Sequence, residues 1–268
     1  MKIALYARYI EETSRQQFVQ LTEILHRNGV MTEEVTETLP DKHFDFLFSI
    51  GGDGTLLSSV HLIGNRNIPV LGINFGHLGF LTTAGRYDID TLVLDLLAGR
   101  YSLEPRTMIH MKAITPEGKN MDTVVLNEVS LHRLDDGSLL STDLFVDDDF
   151  VATYAGDGLI VATPTGSTAY SLSCGGPILT PNSACFVITP NGTHNLTLRP
   201  IIVPDSAKLK LVTHTHSQDF NLGTDSRRQH LPCGTELILE REKFSIQLVR
   251  LHNQSFFKAI HQKLGWNF

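Results

Sequence analysis

The first hundred residues alternate between short apolar runs and amphipathic stretches. Apolar residues dominate Lys2–Tyr6, 44–50 and 68–73, as expected for strands that are buried on both faces of a parallel sheet. Over 11–26 and again over Ile89–Leu97, apolar residues recur every three or four positions, which predicts two amphipathic helices. This alternation of strand and helix indicates a doubly wound α/β domain.

After residue 101 the pattern changes to short strand-like segments that are separated by turn residues. These segments are 108–114, 124–132, 142–146, 159–162 and 209–212. One helix, beginning near Thr168, is predicted to interrupt them. The pattern therefore predicts an α/β domain over residues 1–102 and a β-rich domain over residues 103–250.

A glycine-rich turn with an acid at its centre follows the second apolar run. The sequence Gly51-Gly52-Asp53-Gly54-Thr55 separates the strand 44–50 from a helix predicted to begin near Leu56. Glycines let a phosphate approach the backbone, and the start of the helix presents free N–H groups to it. A plain tight turn is the alternative, but a carboxylate among phosphate-binding amides is unfavourable unless it handles a proton or a metal ion. Asp53 therefore favours a catalytic phosphate site.

Two further candidate sites lie in the β-rich half. The segment 156–173, followed by Gly175-Gly176-Pro177, is dense in glycine and in hydroxyl residues. A site for a polar ligand explains this composition better than an ordinary capped loop does. Asn127 and Glu128 lie within the predicted strand 124–132. Adjacent side chains of a strand point to opposite faces, so one of this pair can face a cleft. An exposed strand dipeptide is the alternative for the pair taken alone.

Composition narrows the partners and the location. A net charge of −7 gives no basic surface for a nucleic acid, although backbone N–H groups and a metal ion still suit an anionic nucleotide. No apolar run approaches the roughly 20 residues that span a membrane, and residues 1–9 do not resemble a secretory signal. Three cysteines without metal-ligand spacing indicate reduced thiols. We therefore expect a cytoplasmic protein with no nucleic-acid or membrane partner.

Taken together and in this order, the motifs resemble the NAD kinase family over nearly the whole chain. The Gly51–Thr55 turn is shared with lipid kinases and phosphofructokinases, whereas the segment 163–173 is specific to NAD kinases. The matching segments are 51–57, Gly72-Ile73-Asn74, 76–81, Leu126-Asn127-Glu128-Val129, 157–173, 175–178, His194, 199–203 and 263–266.

The resemblance implies a fold and a set of ligands. NAD would lie in the cleft between an N-terminal α/β domain and a β-rich C-terminal domain. The segment 251–268 would return to the first domain, through residues 256–264. ATP, or polyphosphate in its place, would donate the phosphoryl group together with a divalent metal ion, with Mg²⁺ as the expected ion. The family also implies a homodimer or a homotetramer.

The resemblance also implies roles for individual residues. Asp53 would be the general base that accepts the proton of the 2′-hydroxyl on the adenosine ribose of NAD. Phosphate or ATP binding would fall to Gly51, Gly52, Gly54 and Thr55. NAD binding would fall to Asp53, Gly54, Asn127, Glu128, Asp157, Thr168, Ala169, Tyr170, Ser171, Leu172 and Ser173. Leu57 and Phe75 would form apolar walls against a base, and His194 would lie near the cleft.

Two positions depart from the family pattern. Ala155 stands where a basic residue is frequent, two positions before Asp157-Gly158. Asp225-Ser226 replaces the frequent Asp-Gly pair, and Arg227 follows it. Arg227 would reach an anionic group across a subunit interface or would be an exposed arginine. The change at Ala155 leaves open whether NADH is accepted as well as NAD.

Two other functions fit part of the sequence. A lipid kinase would use the Gly51–Thr55 turn but gives no reason for the segment 163–173. A non-catalytic NADP sensor on the same scaffold would have no need for Asp53. We therefore expect an active NAD kinase that produces NADP and ADP, with feedback by NADP(H) left open.

Overall fold

The computed structural model describes residues 1–9, 12–76, 79–84, 88–134, 138–214, 219–252 and 255–266. It divides into two compact units: a first unit of residues 1–106 and 245–268, and a second unit of residues 107–244. No helix within the described ranges is long and apolar enough to cross a membrane.

In chain order the elements are β1 (Lys2–Tyr6), α1 (Glu12–Arg27), β2 (Met31–Val35), β3 (Phe46–Ile50), α2 (Asp53–Ile63), β4 (Val70–Asn74), β5 (Thr82–Ala84), α3 (Ile89–Leu97), β6 (Tyr101–Arg106), β7 (Ile109–Ile114), β8 (Asn120–Val125), β9 (Glu128–His132), β10 (Leu140–Val146), β11 (Asp149–Gly156), β12 (Gly158–Ala162), a 3-10 turn (Gly166–Thr168), α4 (Tyr170–Ser173), β13 (Cys185–Asn191), β14 (Ile201–Pro204), β15 (Leu209–His214), β16 (Asp219–Thr224), β17 (Arg227–Pro232), β18 (Glu236–Arg241), β19 (Ile246–Leu251) and α5 (Phe256–Leu264).

A seven-stranded sheet organises the first unit. Its order is β2-β1-β3-β4-β19-β6, and β5 also pairs with β4. The pairs are parallel except for β6, which runs antiparallel to β19. All of β3 is buried, and apolar residues of α1 and α3 join the same core. The predicted strands near β1, β3 and β4 and the predicted helices α1 and α3 are therefore confirmed.

Three features of the first unit differ from the pattern-based predictions. Helix α2 begins at Asp53 rather than near Leu56, so the acid stands in the first helical turn, where the helix dipole favours negative charge. Strand β2 has no predicted counterpart because it is a largely polar edge strand without alternation. Strand β19 belongs to this unit, although residues 103–250 are expected in the β-rich domain, because it pairs with β4 and β6.

Two six-stranded antiparallel sheets form the second unit. Their orders are β11-β10-β15-β18-β7-β8 and β14-β13-β12-β9-β16-β17. Alternate apolar residues of both sheets face one shared core, which is the arrangement that burying one face of each sheet requires. The predicted β-rich C-terminal domain is confirmed.

One predicted strand is in fact two strands in different sheets. The segment 124–132 divides into β8, which ends at Val125, and β9, which begins at Glu128. Strand β8 pairs with β7, whereas β9 pairs with β12 and β16. The chain bends at residues 126–127 because the Asp225 carboxylate accepts hydrogen bonds from the N–H groups of residues 126–128. Asn127 therefore lies between the two strands and Glu128 at the start of β9, instead of both lying inside one strand.

Candidate active site

The glycine-rich turn connects the buried end of β3 to the start of α2. Gly51 has a φ of +143°, a conformation that favours glycine, and a Cβ there would lie 2.9 Å from the Cβ of Thr55. The Gly51 N–H donates to the carbonyl of Ile73 at 2.8 Å, which fixes the turn on β4. A Cβ added at Gly54 would meet no described atom within 4 Å, and one at Gly52 only Asn74 Nδ2, at 3.9 Å. The backbone at Gly52 and Gly54 is therefore open to a ligand on the side where a Cβ would stand, whereas the N–H of Thr55 donates to the Gly52 carbonyl at 2.9 Å.

The Asp53 carboxylate is held by the segment that leads into β5. Its Oδ2 accepts from the N–H of Phe80 at 2.8 Å. Its Oδ1 accepts from the N–H of Leu81 at 3.2 Å and from the hydroxyl of Thr82 at 2.9 Å. A Cβ at Gly79 would overlap the carboxylate and the Thr82 hydroxyl, so only glycine fits there. These contacts fix the orientation of Asp53.

The remaining candidates of the first unit have packing contacts. Leu57 is 8% exposed in α2, and Phe75 packs against the core of the unit. Their predicted role as walls against a base stays a prediction. The motif residues His77 and Leu78 lie outside the described residues.

In the second unit, Asp225 orders the bend that carries Asn127 and Glu128. Its Oδ1 accepts from the N–H of Asn127 at 2.7 Å and of Glu128 at 3.3 Å, and its Oδ2 accepts from the N–H of Leu126 at 2.9 Å. Asn127 and Glu128 are both buried. Within the part of the chain that the structure describes, Asn127 Oδ1 and Glu128 Oε2 have no hydrogen-bond partner. Buried polar atoms without partners are costly, and these two atoms keep hydrogen-bonding capacity that the described residues do not use.

A cavity of about 510 Å³ opens beside this bend, within the second unit. It is lined by Glu128, Ser130, His132, Arg133, Tyr170, Asn221, Gly223, Asp225 and Arg228. The rings of His132 and Tyr170 lie 5.3 Å apart, so the cavity combines an aromatic wall with groups of both charges. Only Glu128 and Tyr170 of these residues are predicted from the sequence. The others belong to strands β9, β16 and β17 or to the turns at their ends, and nothing local in the sequence brings those strands together.

Burial sets the protonation of the two acids in the cavity. Burial, with the negative charge of Asp225 as the smaller cause, raises the pKa of Glu128 to about 8. Burial raises the pKa of Asp225 to about 6, against the opposing effect of its three backbone N–H donors and of Arg227. Burial and Arg228 lower the pKa of His132, and Asp157 opposes them. Near neutral pH, Glu128 is therefore mostly uncharged and able to donate a hydrogen bond.

We expect the free energy of unfolding to fall as the pH rises from about 5 to about 8. The pKa of Glu128 rises from 4.5 to about 8 on folding, so the folded protein binds more protons than the unfolded chain in this window. The expected slope is up to about 1.4 kcal/mol per pH unit for one group. Thermal unfolding at the two ends of this pH window measures the change in the free energy of unfolding. Glu128→Gln should flatten the dependence, whereas Glu117→Gln, at an exposed position, should not. An unchanged slope in Glu128→Gln would contradict the assignment.

Asp157 lies between β11 and β12 and is ion-paired. Its Oδ1 is 2.7 Å from Arg133 Nε, and the Asp157 side chain is 45% exposed. Ala155 supplies no charge, but its carbonyl accepts from the N–H of His194 at 3.0 Å. The His194 side chain is exposed. A cation near Asp157 is thus supplied by Arg133, from the end of β9, instead of from position 155.

Several hydroxyl groups of the segment 163–173 bind protein atoms within the segment or in neighbouring elements. Thr163 Oγ1 donates to the Leu126 carbonyl at 2.6 Å, and Ser167 Oγ donates to the Pro164 carbonyl at 2.7 Å. Ser171 is fully buried, with Oγ 2.8 Å from Thr189 Oγ1. The helix predicted near Thr168 is a 3-10 turn followed by the single turn α4. Solvent reaches Thr168, Ala169, Tyr170, Leu172 and Ser173.

The hairpin between β16 and β17 carries Asp225 and the last candidate, Arg227. Asp225 has a φ of +52°, which aspartate tolerates better than most residues, and the pair Asp225-Ser226 makes the turn. Arg227 is exposed. Its predicted contact with an anionic group stays a prediction. The sequence analysis assigned no role to Asp225 in ordering residues 126–128, since only its turn chemistry is visible locally.

Comparison with known proteins identifies the family. The model of the ATP-NAD kinase N-terminal domain matches residues 4–101, and that of the ATP-NAD kinase C-terminal domain matches residues 126–251. The chain belongs to the NAD kinase family. It is therefore an enzyme of the kinase class, and the resemblance stated from its motifs is confirmed.

Individual NAD kinases are similar over most of their length. The chain is 44% identical to the NAD kinase of Cytophaga hutchinsonii over 223 residues, which are 83% of this chain and 76% of that one. It is 36% identical to the NAD kinase of Christiangramia forsetii, across 99% of this chain and 98% of that one. The crystal structure of yeast NADH kinase complexed with NADH is similar with a TM-score of 0.89 and 25% identity, covering 100% of this chain and 88% of that one. The predicted fold class is confirmed.

Proposed function

We propose that this NAD kinase transfers the γ-phosphate of ATP to the 2′-hydroxyl of the adenosine ribose of NAD, giving NADP and ADP, with Asp53 as general base. In this step the hydroxyl oxygen bonds to the γ-phosphorus, the bond from that phosphorus to the β–γ bridging oxygen breaks, and the hydroxyl proton passes to Asp53. The observation that carries the proposal is the Asp53 carboxylate, oriented by three donors at the start of α2 and next to open glycines.

The two oxygens of Asp53 differ in what they can still accept. Oδ1 accepts two hydrogen bonds, from Leu81 and Thr82, and a carboxylate oxygen has room for about two. Oδ2 accepts one, from Phe80, within the described residues. Oδ2 therefore keeps an acceptor position, and we assign the proton of the substrate hydroxyl to it.

The turn around Asp53 would hold the donor phosphates. Gly51, Gly52, Gly54 and Thr55 are the proposed phosphate contacts at the positive end of α2, where an anion is stabilised. The N–H groups of Gly51 and Thr55 donate to the carbonyls of Ile73 and Gly52, so Gly52 and Gly54 would supply the N–H groups and Thr55 its hydroxyl. Among the described residues, no three His, Cys, Asp or Glu side chains gather into a metal-binding group. Mg²⁺ in kinases is commonly bound by the nucleotide phosphates with few protein ligands, and it neutralises their charge. We therefore propose Mg²⁺ as part of the ATP complex and assign it no ligand from the chain.

The second unit would hold NAD. Asn127 Oδ1 accepts a hydrogen bond from a ligand hydroxyl or amine, and Glu128 in its uncharged form donates one, so both orphaned groups would gain partners. Asp157 and the segment 168–173, from Thr168 to Ser173, complete the proposed NAD contacts. The similar yeast kinase carries NADH in its crystal structure, which supports the same dinucleotide class here. We also propose a cytoplasmic homodimer or homotetramer.

The test is NADP formation by the purified chain with ATP, Mg²⁺ and NAD, followed with an NADP-specific dehydrogenase. Parallel reactions replace ATP by polyphosphate and NAD by NADH, which defines the donor and the acceptor. We expect NADP with ATP and NAD. Binding of NADP without turnover, over a range of divalent metals and pH, would contradict the kinase proposal and support a sensor.

A further inference from the structure

Arg250, in β19 of the first unit, is a buried cation with an unusual set of partners. Its side chain is 9% exposed. Its Nη2 donates to the carbonyl of Phe80 at 3.0 Å, and its Nε donates to Glu104 Oε2 at 3.1 Å. The same Glu104 oxygen accepts from Arg106 Nη2 at 2.6 Å. One carboxylate thus serves two guanidinium groups, and a backbone carbonyl completes the set.

Sheet pairing explains why Arg250 reaches Phe80. One edge of β4 pairs with β3 over Val70 to Ile73. The opposite edge is therefore shared by β19, paired at Val70, and by β5, which pairs from Gly72 onward. Arg250 follows the paired residue Leu248 by two positions and shares its face of the strand. It therefore lies where β19 leaves β4 and the segment 80–82 arrives.

The same short segment connects Arg250 to Asp53. The N–H of Phe80 donates to Asp53 Oδ2, while the carbonyl of Phe80 accepts from Arg250. Thr82, two residues later, donates its hydroxyl to Asp53 Oδ1. The ring of Phe80 lies under Lys263 of α5, whose Nζ is 5.0 Å from the ring centroid. Both polar backbone atoms of Phe80 are thus used, one toward the carboxylate and one toward the guanidinium.

Stability alone does not account for a guanidinium at position 250. Two arginines compete for Glu104, and burial together with the charge of Arg250 lowers the pKa of Arg106 to about 10. A well-packed apolar side chain is often at least as stabilising as a buried charge in a strand. What an apolar residue lacks is a donor for the Phe80 carbonyl. The placement therefore fits a requirement for the geometry of the segment 80–82.

We infer that Arg250 and Thr82 are positioning residues for Asp53: Thr82 orients the carboxylate through its hydroxyl, and Arg250 holds the Phe80 peptide whose N–H binds the same carboxylate. The inference rests on the proposed function, because it gives Asp53 the role of base. In this role both residues act through Asp53 and not through a contact with substrate. Losing either one should leave the carboxylate present but turned away from the hydroxyl that it deprotonates.

A double-mutant cycle in the full-length enzyme tests this inference. We expect Arg250→Met to lower kcat for NADP formation by about 10- to 100-fold, the scale of a misplaced catalytic group, with the KM for NAD within about twofold. In the Asp53→Asn background the same substitution should change kcat by less than about twofold, because residues that act as a unit are not additive. Arg250→Lys should recover part of the rate, because the ammonium group still donates hydrogen bonds. The recovery should be incomplete, because a single ammonium lacks the planar set of donors of a guanidinium. Arg100→Met, which breaks the exposed pair with Asp95, is the matched control and should keep the parent kcat.

The Thr82 variants give an independent readout. Thr82→Val removes the hydroxyl at nearly constant shape and should lower kcat by about tenfold, whereas Thr82→Ser keeps the donor and should restore it. Circular dichroism and thermal unfolding verify that each variant is folded. If Arg250→Met does not fold, the comparison of Thr82→Val with Thr82→Ser decides.

Three outcomes would overturn the inference. The first is a full, additive loss from Arg250→Met in the Asp53→Asn background, which would mean that Arg250 supports only the fold. The second is a parent kcat in Arg250→Met or Thr82→Val beside an inactive Asp53→Asn, which contradicts this inference and leaves the proposed function intact. The third is full kcat in Asp53→Asn alone, which removes the base itself and is visible before any double variant is made.

Discussion

Asp53→Asn is expected to lower kcat for NADP formation by about 10²- to 10⁴-fold, with little change in the KM for NAD. The amide cannot take the proton of the 2′-hydroxyl, although it has nearly the same shape. Its oxygen can still accept from Leu81 and Thr82, but its NH₂ group would face the N–H of Phe80. Some local rearrangement is therefore expected beside the loss of the base. Initial rates over a range of NAD and ATP concentrations separate kcat from KM.

Asp90→Asn is the matched control for this substitution. Asp90 is an exposed acid in the first turn of α3, as Asp53 is an acid in the first turn of α2. The control should keep the parent kcat. If Asp53→Asn weakened the binding of NAD as much as it lowered the rate, Asp53 would position substrate and would not be the base. A large drop in melting temperature with normal kcat would make Asp53 an anchor for the segment 80–82 only.

Asp225→Ala is expected to destabilise the second unit by about 3 kcal/mol and to abolish measurable NAD binding. The substitution leaves three N–H groups, of residues 126–128, without their acceptor, and each such loss costs roughly 1–3 kcal/mol when water does not replace it. The bend would then no longer hold Asn127 and Glu128 in place. A fall in melting temperature of about 10 °C is the corresponding result. Thermal unfolding and NAD titration calorimetry measure the two effects.

Two variants separate the causes of that effect. Asp225→Asn keeps one acceptor oxygen and should be intermediate in both measurements. Asp148→Ala changes an exposed aspartate whose φ is +71°, so it reports the cost of alanine in a left-handed conformation without any lost acceptor. If Asp148→Ala and Asp225→Ala were equally destabilising and NAD still bound, the hydrogen bonds at Asp225 would not matter.

Local sequence pattern predicted the parts of this protein whose structure is determined locally. The strand β3, the turn at Gly51 and the helices α1 and α3 follow from apolar periodicity and from glycine chemistry. Burial on both faces gives β3 its unbroken apolar run, and one buried face gives α3 its helical spacing. The doubly wound first domain and the β-rich second domain could be predicted for the same reason.

Other features depend on contacts between residues that are distant in sequence. The bend at Asn127 requires Asp225, which is 99 residues from Leu126 along the chain. The assignment of β19 to the first unit requires its pairing with β4, a partner far earlier in the sequence. The hydroxyl of Thr163, in the segment 163–173, donates to the carbonyl of Leu126, 37 positions away. The order of polar and apolar residues along the chain does not identify these distant partners.

The pairing of β19 with β6 has a consequence for synthesis. Arg106, the last residue of β6, lies opposite Ile246, the first residue of β19, so the chain leaves the first unit and re-enters it at neighbouring points of one hairpin-like ladder. The second unit is thus an insertion whose two ends are already side by side. The ribosome makes the whole insertion before it makes β19. The first sheet therefore completes its edge, and the Arg250 contact to the Asp53 segment forms, only after the inserted unit has been fully translated.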